Sequence, residues 1–185
     1  MERKQNSDFR SGFVALIGRP NAGKSTLINT LLGKKIVIIS DKPQTTRNRI
    51  QCILTEERGQ VIFFDTPGIH KPKHRLGEYM NTAATTTLKG VDMAVYVVDA
   101  SVALGSGEEY VLDIIKRSGI PCILALNKID LLKKEEILVK IAEYSQLADF
   151  KEIIPISALQ AENTGKLLDL IFAELPLGPL YYTAD

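Results

Sequence analysis

Two periodicities alternate along this chain. Short apolar runs and two-residue alternations predict strands at 12–17, 47–55, 59–65, 91–99, 120–127 and 152–157. Between them, apolar residues recur every three or four positions over 24–33, 76–88, 107–118, 134–147 and 163–174, which predicts helices. The runs 93–98 and 120–126 are apolar at nearly every position. A strand reads this way when both its faces are covered, as in the middle of a parallel sheet clothed by helices. Segments 47–55 and 59–65 are separated by Glu56-Glu57-Arg58 beside Gly59 and predict the one antiparallel hairpin. The apolar stretch 36–39 has three readings: an extra edge strand, a patch packed on a helix, or part of a mobile loop. The fold expected is a doubly wound α/β domain with a mostly parallel six-stranded sheet, one antiparallel strand and helices on both faces. Such sheets hold their ligands at the carboxyl ends of the strands.

Composition narrows the class. The chain has 185 residues, 45% of them hydrophobic, which suits one domain with a single core. The net charge of +1 gives no global sign of a nucleic-acid partner, but it conceals an asymmetry. Residues 1–99 carry 15 basic and 9 acidic side chains, whereas residues 100–185 carry 8 and 13. Cys52 and Cys122 both fall in strand-like runs and read as buried thiols of a reducing compartment. Residues 1–10 form a polar tail without the apolar stretch of a secretory signal. No apolar run approaches the ~18–20 residues needed to span a bilayer. The expectation is a cytoplasmic protein.

Chemistry enters at Gly18-Arg19-Pro20-Asn21-Ala22-Gly23-Lys24-Ser25, a match to the phosphate-loop pattern G-x-x-x-x-G-K-[ST]. It follows the predicted strand 12–17 and opens the predicted helix 24–33. A strand, a glycine loop and a helix N-terminus in that order aim backbone N–H groups and the helix dipole at an anion. Asn21, Ala22, Gly23, Lys24, Ser25 and Thr26 are therefore expected nucleotide contacts. Lys24 reaches the β- and γ-phosphates, and the Ser25 hydroxyl is a Mg²⁺ ligand.

Three further segments fall at strand ends. Asp65-Thr66-Pro67-Gly68 closes the run 61–64. There Asp65 can hold Mg²⁺ and the Gly68 N–H can touch a γ-phosphate. Asn127-Lys128-Ile129-Asp130 closes the run 120–126 and selects the base. The Asp130 carboxylate offers two acceptors to the N1–H and 2-amino donors of guanine, whereas adenine would leave it unpaired. Asn127 can reach the base N7 and brace the phosphate loop, and the Lys128 stem can cover the ring. Ser157-Ala158-Leu159 would set the Ala158 N–H against guanine O6. Between the first helix and second strand, a threonine hydroxyl can close the Mg²⁺ shell only while a γ-phosphate is present. Thr46 is preferred to Thr45 for that role.

These residues, with Ser11-Gly12-Phe13-Val14, Pro43-Gln44-Thr45-Thr46-Arg47, Ile69-His70-Lys71-Pro72 and Met80-Asn81, resemble the Era family of bacterial ribosome-assembly GTPases. The resemblance runs from about residue 9 to the end. Related bacterial GTPases of tRNA modification or the large subunit share the first loop and Thr-Thr-Arg. They generally lack the His-Lys-Pro stretch and the Leu-Pro-Leu-Gly-Pro-Leu-Tyr-Tyr segment at 175–182. The resemblance implies a P-loop, Ras-like G domain over 11–175, with GTP and GDP as ligands and Mg²⁺ as cofactor. It also implies a role in small-subunit assembly and its ribosomal RNA, a monomer, no DNA partner, and room for peripheral membrane association. Era-type proteins continue into an RNA-binding KH domain. Residues 176–185 read as a linker toward such a domain, so RNA affinity is expected to be mostly absent from this chain.

The position after Gly68 is Ile69, where Ras-like enzymes keep a water-orienting glutamine. Slow intrinsic hydrolysis follows. Arg47, Arg49 and Arg75 lie near the switches without a clear finger role. In potassium-activated relatives an asparagine at the position of Asn21 helps bind K⁺, so the resemblance implies K⁺-stimulated turnover. The expected catalytic set is Lys24, Thr46, Gly68 and Asn21, and the metal set is Ser25, Thr46 and Asp65. Two readings stay open: a GTP-hydrolysing enzyme, or a GTP-gated binding module that barely hydrolyses alone. The basic stretch 70–75 is either a solvated loop or a gated contact, and His70 with His74 is a poor metal pair around Pro72.

Overall fold

The computed structural model describes residues 7–33, 38–40, 50–66, 68–69, 73 and 75–183. The chain alternates as expected: β1 (Arg10–Gly18), α1 (Lys24–Leu32), β2 (Ile38–Ser40), β3 (Ile50–Glu56), β4 (Gly59–Asp65), α2 (Arg75–Leu88), β5 (Met93–Asp99), α3 (Ser106–Ser118), β6 (Cys122–Asn127), α4 (Lys134–Ser145), β7 (Glu152–Pro155) and α5 (Thr164–Glu174). One 3₁₀ turn, Ile129–Leu131, follows β6. The strands form one sheet in the order β2-β3-β4-β1-β5-β6-β7. β3 runs against both its neighbours, and the remaining pairs are parallel. The six expected strands are thus present with β3 as the single reversed one. Ile38–Ser40 adds a seventh at the edge, which selects the edge-strand reading of the 36–39 stretch for the residues described.

Successive strand residues point to opposite faces, and the two cores divide accordingly. Val14 and Leu16 of β1, Val95 and Val97 of β5, and Ile123 and Ala125 of β6 join Leu27 of α1 and Leu167 and Ile171 of α5 on one face. Ala15 and Ile17, Tyr96 and Val98, and Leu124 and Leu126 join Leu88, Val111, Ile115 and Tyr144 of α2, α3 and α4 on the other. Burial on both faces explains the unbroken apolar runs of β5 and β6. Because β1, β4, β5, β6 and β7 run parallel, Gly18, Asp65, Asp99, Asn127 and the residues after Pro155 all emerge on one edge of the sheet.

Residues 176–182 are docked on the domain. The Ser11 N–H donates to the Pro176 carbonyl at 3.1 Å, and the Gly178 N–H donates to that of Phe9 at 3.1 Å. Fully buried Gln60 accepts the Tyr181 and Tyr182 N–H groups at 2.9 and 3.1 Å, and donates to the Tyr182 carbonyl at 2.8 Å. The Tyr181 ring lies 5.1 Å from that of Phe13. This segment, expected as a linker from its Pro and Gly punctuation, covers the amino ends of β1 and β4.

Candidate functional site

β1 ends at Gly18 because the chain must turn from strand to helix within five residues. Gly23, at φ 103°, makes the last step of that turn in the left-handed region. A side chain there would also collide with the Asn127 amide. Asn21 takes φ 64°, a conformation asparagine tolerates, and is exposed. Inside the loop, the Arg19 carbonyl accepts the Ala22 N–H at 3.3 Å and the Lys24 ammonium at 3.2 Å. Burial pulls the Lys24 pKa below its ordinary value, against Asp65 and Glu108, which raise it.

The Ser25 hydroxyl donates to Asp65 Oδ2 at 3.2 Å, so the two expected Mg²⁺ ligands meet across α1 and β4. Asp65 Oδ1 is buried without a hydrogen-bond partner. Burial raises the Asp65 carboxyl, with Lys24 and Ser25 pulling it down. An acid and an amine are thus both pushed toward neutrality side by side. A phosphate beside Lys24 and a divalent cation beside Asp65 would relieve both, so the residues fit Mg²⁺. Thr45 and Thr46 lie outside the described residues, as do Arg47, Arg49, Pro67, His70, Lys71, Pro72 and His74.

Gly68 lies against the phosphate loop, where a Cβ would fall 2.6 Å from the Pro20 nitrogen. Ile69 is fully buried in the second core and donates its N–H to the Gly18 carbonyl at 2.7 Å. Its side chain therefore belongs to the core, and its backbone pins the residues after Asp65 to the end of β1. Buried Thr66 donates its hydroxyl to the Leu16 carbonyl at 2.7 Å, a second pin that motif reading passed over.

The segment expected to meet the base is braced by side chains. Asn127, 2% exposed, donates Nδ2–H to the Ala22 carbonyl at 2.9 Å and accepts the Ala158 N–H on Oδ1 at 2.9 Å. One amide thereby joins the phosphate loop to the loop after β7. The Ala158 N–H, expected at guanine O6, has Asn127 as its partner here. Thr30 of α1 donates to the Ala158 carbonyl at 2.7 Å. The Ser157 hydroxyl donates to Asp130 Oδ1 at 2.9 Å and aims an otherwise exposed carboxylate. Lys128, at φ 68°, donates to the Asn21 carbonyl at 2.8 Å and to Asp99 at 3.0 Å. Burial pushes the Asp99 carboxyl up, but hydrogen bonds from Ser101 and Lys128 outweigh it and leave the pKa lowered. Thr26 and Leu159 are exposed beside these groups.

Sequence reasoning missed Asp99, Arg19 and Glu108. Asp99 carried a signal, since it closes β5 just as Asp65 closes β4 and Asn127 closes β6. Arg19 and Glu108 carried none, because only the fold brings the loop beside α3. Among the described residues no cluster of three or more His, Cys, Asp or Glu side chains suits a metal, and no helix is long and apolar enough to cross a membrane.

Residues 13–128 match the family described as "50S ribosome-binding GTPase". The GTPase Era of Heliobacterium modesticaldum is 57% identical over 176 residues, covering 95% of this chain and 59% of that protein. The crystal structure of Era in complex with MgGDPNP and nucleotides 1506–1542 of 16S ribosomal RNA superposes with a TM-score of 0.84 at 37% identity. It covers 95% of this chain and 60% of the other. An Aquifex aeolicus Era variant bound to GDP and AlF₄⁻ gives 0.82 at 38% identity, with 95% and 60% covered. The chain thus spans about three fifths of the length of the relatives it matches.

Proposed function

Because the chain belongs to the 50S ribosome-binding GTPase family and is similar to Era over 95% of its length, we propose that it is a guanine-nucleotide switch that binds GTP and hydrolyses it to GDP and phosphate. The observation that carries this reading is the Asn127 amide, which joins the phosphate loop at Ala22 to the base loop at Ala158. In this reading Lys24, the loop N–H groups of 21–26 and the α1 N-terminus hold the phosphates. Ser157 holds Asp130 toward the N1–H and 2-amino group of guanine, and the Lys128 stem covers the ring. The Ala158 N–H is then shared between Asn127 and O6. Ser25, Asp65 and Thr46 would hold Mg²⁺, which neutralises charge on the β- and γ-phosphates when bound. Water attacks the γ-phosphorus, and catalysis rests on positioning by Lys24, Gly68 and Thr46 rather than on a glutamine.

Two finer parts of the reading rest on single residues. Asn21 stands on the exposed rim of the loop, where its side chain would help hold K⁺ beside the phosphates. Turnover should then be faster in KCl than in NaCl at equal ionic strength, and equal rates would remove K⁺ from the account. The buried Ile69 favours a second reading, a GTP-gated binding module with negligible hydrolysis when alone. Single-turnover assays decide between the two. Titration with GDP against ADP tests the base assignment, and equal affinities would overturn it. By likeness to Era, the partner proposed is the small ribosomal subunit and its RNA in the cytoplasm, with a KH domain making most of the RNA contact and the protein acting as a monomer. RNA binding by this chain as tight as by a KH-bearing form would oppose that division of labour.

A further inference from the structure

The phosphate loop is held from its outer side as well. Arg19 leaves β1 toward α3, and its guanidinium lies over Gly107 in the first turn of that helix. Any Cβ at 107 would overlap the Arg19 Cζ and Nη1 and fall 2.7 Å from Nε. Arg19 Nε is buried without a hydrogen-bond partner, a costly arrangement for a donor. Glu108, the next residue of α3, accepts a hydrogen bond from the Tyr96 hydroxyl of β5. Arg19, Asn21, Asp99, Glu108 and Tyr144 line a cavity of about 270 Å³ beside the loop. The same Arg19 supplies the carbonyl that accepts both the Ala22 N–H and the Lys24 ammonium. Its side chain and its carbonyl therefore join α3 to the groups that meet the phosphates.

We propose that Arg19, seated on Gly107 beside Glu108, is a positioning residue that sets the pose of the phosphate loop and of Lys24 from α3. The proposal rests on the guanine-nucleotide reading above. Glu108 supplies the complementary charge: burial raises its carboxyl to about 6, against Arg19, Lys140 and Lys24, which lower it. Tyr96 on β5, Tyr144 with Lys140 and Glu143 on α4, and Asp99 paired with Lys128 are further titratable groups around this contact. Motion of α3 would reach the phosphates through this contact without touching the nucleotide.

The test is a double-mutant cycle of Arg19→Ala and Gly107→Ala, read by titration with a fluorescent GDP and by urea unfolding. Arg19→Ala is expected to weaken GDP binding about tenfold, and Gly107→Ala about fivefold, while adding less than about twofold in the Arg19→Ala background. Alanine is the better helix former, so Gly107→Ala should hold or raise the urea midpoint while affinity falls. A merely structural role would move the two together. Wild-type binding with both variants unchanged, or effects that multiply independently, would overturn the proposal and leave the nucleotide reading intact. Failure of the wild-type chain to bind GDP would overturn both.

Discussion

Asn127 donates its side-chain amide to the Ala22 carbonyl at 2.9 Å, across 105 residues of chain. The bond ties the carboxyl end of β6 to the glycine loop, so the segments proposed to hold base and phosphate keep a fixed separation. Replacement by alanine leaves the Ala22 carbonyl and the Ala158 N–H unpaired in a buried place, at about 1–3 kcal/mol for each group. Asn127→Ala is expected to lower the urea midpoint and to weaken GDP binding more than about tenfold. Loss of affinity with an unchanged midpoint would mean that Asn127 acts on the base alone.

Asp130 is aimed by Ser157, and the specificity proposed for it follows from counting donors. Xanthine keeps the N1–H but carries a carbonyl where guanine has its 2-amino group. Asparagine offers one acceptor and one donor and so matches xanthine. Asp130→Asn is expected to reverse the preference from GTP to XTP, measured by competition against a fluorescent guanine nucleotide. Unchanged GTP preference would remove Asp130 from the base contact.

Asp65 lies against Ser25 with one oxygen unpartnered. Asp65→Asn keeps the size and removes the charge. Mg²⁺ slows nucleotide release in the wild-type chain if it binds here, and the variant should lose most of that effect. Stopped-flow release of a fluorescent GDP with and without Mg²⁺ reads it directly, and equal Mg²⁺ effects in both proteins would place the ion elsewhere.

Glu108 couples stability to pH with a definite sign. Its carboxyl ionises at about 6 in the fold against an ordinary value of 4.5, because burial disfavours the charge. Between those values the folded chain keeps a proton that the unfolded chain has released. Its contribution is therefore present at low pH and falls as pH rises through that window. The unfolding free energy of wild type minus that of Glu108→Gln should drop between about pH 4.5 and 6 and be flat by about pH 7. A constant difference across the range would show that the group is solvated.

Gln60 supplies three hydrogen bonds to the 181–182 segment at the edge away from the phosphate loop. Gln60→Leu is expected to cost about 1–3 kcal/mol in urea unfolding. Proteolysis near Tyr181 should become faster. GDP affinity should stay within about twofold of wild type, since Gln60 lies at the amino end of β4.

Much of this protein was legible as sequence because the informative signals are local. The apolar runs of β5 and β6, the glycine loop before Lys24 and the Asn127-Lys128-Ile129-Asp130 tetrapeptide each carry their meaning within a few residues. From them came the parallel sheet, the glycine loop at the end of β1 and the proposal of guanine. What depended on which distant residues meet was decided by tertiary structure alone. Residues 176–182 read as a linker, and nothing local in them announces that Gln60 and Phe13 hold them. Ile69 read as a lost glutamine, and the fold shows it as a core residue bonded to Gly18. Arg19 had no side-chain role in the sequence, and the fold lays its guanidinium over Gly107 of α3. Periodicity and motif spacing report a residue's own element and its place on it. Contacts between loops arise from strand order and crossover, which bring Arg19 to Gly107 and Asn127 to Ala22 only once the sheet has formed.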